Sequence, residues 1–96
     1  MEVQVSAVIR IPTPLRKITN GDDKVNIAPG TLSEVIENLE IKYPGIKMKL
    51  CDETGNLRSF VNIYIDGEDI RYLNGIDSRI SDNSDVSIVP AVAGGQ

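Results

Sequence analysis

The sequence predicts an α+β protein of two layers, a curled mixed sheet of about five strands with one main helix packed across one face. Three observations predict it: one amphipathic stripe of helical period, several short runs of period two, and turn residues at nearly every junction between them. One long helix is too little for a parallel sheet built from repeated βαβ units. At 96 residues the chain encloses a single hydrophobic core.

From Glu2 to Ile11, Val3, Val5, Ala7 and Ile9 alternate with Glu2, Gln4, Ser6 and Val8, which predicts a half-buried first strand. Pro12 and Pro14 cannot donate to a ladder and stop it, and Thr19-Asn20-Gly21-Asp22-Asp23 is a run of turn formers. Lys24 to Ala28 reads as a second strand with Val25 and Ile27 on one face. Pro29-Gly30 breaks the chain, and Thr31 with Glu34 makes a capping box ahead of Leu32, Val35, Ile36, Leu39 and Tyr43. Those five share one helical stripe that must press on the sheet, while Glu34, Glu37, Asn38 and Glu40 face water. Pro44-Gly45 ends the helix.

A short helix is predicted over Ile46 to Cys51, and a turn over Asp52-Glu53-Thr54-Gly55-Asn56. Phe60 to Ile65 carries the strongest strand signal, with β-branched Val61, Ile63 and Ile65 alternating with Phe60, Asn62 and Tyr64. Asp66-Gly67 is a two-residue hairpin signal, so a short return strand is expected through Asp69 to Arg71. A helical turn is expected over Ile76 to Ile80, a loop over Asp82 to Asp85, and a last strand from Val86 to about Ala91. Val5, Val25, Val61, Ile63, Ile65, Val86 and Ile88 are then the sheet face that meets the helix, leaving Phe60, Asn62, Tyr64 and Val89 outward.

The composition is 41% hydrophobic and 25% charged, as in ordinary folded proteins. The net charge is −4 and the Lys and Arg residues are scattered, so no basic stripe exists to track a nucleic acid backbone. The acidic residues gather after Cys51, a pattern of solubility that could also steer a basic partner. No run approaches the roughly 20 apolar residues of a membrane span, and no export signal follows Met1. Nucleic acid and membrane are therefore not expected partners.

With no histidine at all, the commonest general base and most zinc sites are missing, so an enzyme is not expected. Cys51 has no cysteine to bridge with and no histidine to activate it, which points to a structural role and a reducing, cytoplasmic setting. Asp82, Asn83 and Asp85 look like the start of a calcium loop but lack its glycine and distal glutamate, so they read as a turn. Arg71 beside Tyr72 reads either as a partner-recognition charge or as a solvated charge on an edge strand. No metal or cofactor is expected to reside in the chain.

The anomaly is the end, Ala91-Val92-Ala93-Gly94-Gly95-Gln96. After Val92 nothing larger than a methyl group appears until Gln96. Such a tail threads, extended, through a narrow channel and brings its end to a reacting centre in another protein, because glycine permits close backbone approach. The expected organisation is a domain over residues 1–90 and a flexible diglycine tail over 91–96. Phe60, Tyr64 and Val89, large apolar side chains near the tail, form the candidate docking patch.

Phe60-Val61-Asn62-Ile63-Tyr64-Ile65, Asp66 to Asp69, and above all Ser87-Ile88-Val89-Pro90-Ala91-Val92-Ala93-Gly94-Gly95 resemble the MoaD/ThiS family of ubiquitin-like sulfur carriers. Within it the similarity is greatest to CysO-type carriers of cysteine and related sulfur amino-acid biosynthesis. The resemblance implies a β-grasp fold. It implies that an E1-like activating enzyme, using ATP and Mg, adenylates the carboxylate of Gly95, and that a sulfur donor then displaces AMP to leave a thiocarboxylate. Its implied acceptor is a pyridoxal-phosphate (PLP)-dependent synthase, with Ala91, Val92, Ala93 and Gly94 as the slender segment inserted into the partner.

The family's active form ends at the second glycine, whereas here Gln96 follows. CysO-type systems often include a zinc-dependent JAMM-type metallopeptidase, so removal of Gln96 before activation is expected. Two rival readings stay open within this resemblance: the small subunit of molybdopterin synthase, and a ubiquitin-like modifier joined to lysine through Gly95. A third, outside it, is an interaction module with an inert tail.

Overall fold

The computed structural model describes residues 6–90. The first strand, β1 (Ala7–Arg10), buries Ala7 and Ile9 and turns Val8 and Arg10 to the other side, as the period of two requires. Val3 and Val5, predicted at its start, lie outside the described residues. Pro12 and Pro14 end it in a short 3-10 turn (Thr13–Leu15). β2 (Lys24–Ile27) returns antiparallel to β1, with Ile9 opposite Val25, and the Ile11 N–H reaching the Asp23 carbonyl at 2.8 Å prolongs the pairing.

The capping box predicted from Thr31 and Glu34 is formed: Thr31 Oγ1 accepts from the Glu34 N–H, and Glu34 Oε1 accepts from the Thr31 N–H at 2.9 Å. It opens α1 (Leu32–Lys42), which buries Leu32, Val35, Ile36 and Leu39, with Tyr43 buried just past its end. The Tyr43 hydroxyl donates to Asp22, tying the helix end to the loop before β2. Gly45, at φ 103, makes the left-handed turn into α2 (Ile46–Leu50), and the Glu40 carboxylate accepts from the Gly45 and Lys47 N–H groups there.

The hairpin strands are β4 (Val61–Ile65) and β5 (Glu68–Asp69), joined through Asp66-Gly67, both at positive φ as a two-residue hairpin turn demands. The last strand, β7 (Asp85–Pro90), completes a five-stranded sheet in the order β2-β1-β7-β4-β5, in which β1 and β7 are parallel and the other neighbours antiparallel. Val25, Val61, Ile63, Ile65, Val86 and Ile88 join the α1 stripe in one core. Every described residue of the predicted inner face is buried.

Two expectations need correction. The return strand stops at Asp69, because the Asp69 carboxylate accepts from the Arg71 N–H and starts a 3-10 turn over Ile70–Tyr72. The helical turn expected over Ile76 to Ile80 is split: Gly75–Asp77 is 3-10, and β6 (Arg79–Ile80) pairs antiparallel with β3 (Gly30–Thr31). This small sheet braces the start of α1, where the Leu32 N–H donates to the Ser78 carbonyl. Among the described residues no helix is long and apolar enough to cross a membrane.

Candidate functional site

The tail residues Ala91, Val92, Ala93, Gly94, Gly95 and Gln96 lie outside the described residues, so the site is built from what launches them. That is β7, held on one side by β1 and on the other by β4. The β4 ladder runs Ile65 to Val86, Ile63 to Ile88 and Val61 to Pro90, so β7 is paired up to the residue before the tail. β1 pairs with β7 only from Asp85 to Ser87, so from Ile88 to Pro90 the strand is held by β4 alone, and that ladder sets the direction in which the chain leaves the sheet.

Around Pro90 the surface is apolar. An open groove of about 480 Å³ runs between the 3-10 turn at Pro14-Leu15, α2, the turn before β4 and the end of β7, walled by Pro14, Met48, Leu50, Phe60, Ile88 and Pro90. Met48 is 72% exposed and Phe60 48%. Lys49 and Arg58 flank the groove, and neither makes an ion pair among the described residues. Arg58 ties this wall together: its N–H donates to the Leu50 carbonyl, its Nε to the Met48 carbonyl, and its own carbonyl accepts from the Val61 N–H, all at 2.9 Å.

The predicted docking residues divide over two surfaces. Val89, opposite Asn62, and Tyr64, opposite Ser87, are diagonal neighbours on the outer sheet face. Phe60 precedes β4 in a turn and lines the groove on the other side of the exit strand. Its place comes from the bend at Arg58, which the alternation of β4 does not reveal. Met48 and Arg58, with buried Leu50 at the groove floor, are the groove residues that sequence reasoning missed. An apolar residue between two lysines in Ile46-Lys47-Met48-Lys49-Leu50 was the available signal.

Elsewhere the polar groups are structural. Burial pushes the Cys51 thiol up, away from the reactive thiolate, and its backbone bridges to Leu57. Arg71, expected as a free edge charge, grips Asp69 at 2.6 Å and holds its carboxyl below the usual range. Among the described residues no cluster of three or more His, Cys, Asp or Glu could hold a metal ion.

A mixed five-stranded sheet grasping one helix, with its last strand in mid-sheet, defines a ubiquitin-like β-grasp protein. The chain belongs to the ThiS family, whose model matches residues 9–95. It is similar to the sulfur carrier protein CysO of Mycobacterium tuberculosis, 43% identical over 93 residues that cover 95% of this chain and 100% of that one. A chain in the crystal structure of the Amycolatopsis orientalis BexX/CysO complex superposes with a TM-score of 0.87 at 37% identity, covering 93% of this chain and 99% of that one. The small archaeal modifier protein 3 of Haloferax volcanii is 32% identical over 65 residues, covering 68% of this chain and 70% of that one. Membership in this family makes the protein a small ubiquitin-like carrier and not an enzyme.

Proposed function

We propose that the protein is a sulfur carrier whose Gly95 carboxylate is adenylated by an E1-like enzyme and converted to a thiocarboxylate. The observation that carries this reading is that β7, paired with β4 up to Pro90, is followed directly in the sequence by a bulk-free diglycine segment. A carboxylate is a poor electrophile until one oxygen becomes part of a good leaving group, which adenylation with ATP and Mg supplies. The thiocarboxylate that follows is a soft anionic nucleophile. The carrier contributes position, while the bond changes belong to its partners.

The similarity to CysO carriers supports an acceptor that is a PLP-dependent synthase for cysteine or a related sulfur amino acid, working in the cytoplasm. On this reading Ala91, Val92, Ala93 and Gly94 enter the acceptor, and Phe60, Tyr64 and Val89 dock beside them. Gln96 blocks the Gly95 carboxylate, so a zinc-dependent JAMM-type peptidase removes it first.

The test is to incubate the chain ending at Gly95 with ATP, a family activating enzyme and a sulfur donor, and to weigh the product. The expected result is a sulfur-for-oxygen mass increase on Gly95. Absence of any acyl-adenylate on that chain overturns the reading. The similarity to a small archaeal modifier favours a second one, attachment of Gly95 to lysine. Branched peptides ending in Gly94-Gly95, found in the native cell, would establish it.

A further inference from the structure

We infer that the apolar groove beside Pro90 seats the chain's own residues 91–95, with Val92 in the groove and the acyl end lying toward Lys49 and Arg58. Four features of the molecule converge on this occupant. The first is continuity: Pro90 is both the last paired residue of β7 and a wall of the groove, so the segment starts at the seat. The second is parity. Val86 and Ile88 bury their side chains on the helix side of the sheet, Pro90 pairs with inward Val61, and the next position of that series is Val92. Val92 is also the one large apolar side chain beyond Pro90.

The third feature is reach. Five residues extend at most roughly 17 Å, enough to cross a groove that begins at their own root and too little to reach the far end of the sheet. The fourth is charge. In a chain of net charge −4, the two cations at this rim have no ion-pair partner among the described residues, and the chain's terminal carboxylate, on Gln96 or on Gly95 once Gln96 is removed, is an anion. Tethering raises the local concentration of the segment to the order of millimolar, so one buried valine and a weak charge contact fill the seat for much of the time. A partner that takes the tail must then lift it out.

The seat rests on the groove, the parity of β7 and the charge of the chain end, and on no reaction of Gly95. Its consequence, shielding of a thiocarboxylate between partners, rests on the sulfur-carrier reading.

Methyl-labelled full-length chain is compared by NMR with a chain stopped after Pro90 and with Val92→Gly. The expected result is contacts between the Val92 methyls and Met48 or Ile88, with the groove methyls of both variants shifting together to one common position. Met48→Glu, at an exposed side chain, places an anion in the groove and should abolish those contacts while the rest of the spectrum stays native. Groove methyls that superimpose in all three chains, with no Val92 contact, overturn the inference. Adenylation of Gly95 is a separate readout: groove contacts without adenylation remove only the carrier reading, and adenylation without groove contacts removes only the seat.

Discussion

The two ends of β7 are built in opposite ways. At the Asp85 end the strand is latched by polar groups: Arg10 Nε donates to both Asp85 carboxylate oxygens at 2.8 and 2.9 Å, the Asp85 N–H donates to the Asp66 carboxylate, and the Asp66 N–H donates to the Asp85 carbonyl. At the Pro90 end the last pair is Val61 with Pro90, and the neighbouring surface is apolar groove with exposed Met48 and Phe60. Directional bonds fix register where the strand begins, and non-directional apolar surface is kept for contact where it ends. One strand thus carries a structural terminus and an adhesive one.

Ile63 sits opposite Ile88 midway between them and is 1% exposed, so it supports both ends through the core. Ile63→Ala removes that packing and leaves a cavity, with an expected loss of about 2–5 kcal/mol in urea denaturation. A loss no greater than that of a surface change would show that the ends do not depend on their shared centre.

Asp85→Asn isolates the polar end and should produce a smaller shift. The hydrogen bond from Arg10, aided by its charge, holds the Asp85 carboxyl below its ordinary value. A depressed folded-state pKa means that the unfolded chain binds the proton more readily, so stability rises with pH across that window. The contribution is fully present above the unfolded carboxyl value of about 3.9 and is lost as pH falls through the folded one. The urea midpoints of wild type and Asp85→Asn should therefore converge below about pH 4 and draw together in high salt. A gap that persists in acid would refute the latch.

The smallest effect belongs to the apolar end. Met48→Glu changes a side chain that is 72% exposed, and stability should stay within about 0.5 kcal/mol in the same assay. A large loss would mean that Met48 supports the fold and is not held out for contact.

Much of the fold was legible because local chemistry and tertiary need agree. Thr31 and Glu34 cap the very helix whose stripe of Leu32, Val35, Ile36 and Leu39 is buried, and the alternation of β4 and β7 sorts the inner side chains from the outer ones. What was not legible depends on contacts distant in sequence. The pairing of Gly30–Thr31 with Arg79–Ile80 involves two residues a side, too few for any period to show. The return strand failed at Asp69 because its side chain competes for the backbone, a role aspartate also plays in turns. The groove was invisible since its walls come from four separate segments, and Phe60 joins it through a bend stitched by Arg58 to the carbonyls of α2.

The parallel, side-by-side run of β1 and β7 has a mechanical consequence. Tension along β7 from its Pro90 end loads the β4 ladder in shear first and, from Ser87 inward, the β1 ladder beside it. On the proposed reading, a partner pulling on the chain end would load these ladders along their length, the direction in which a sheet resists best.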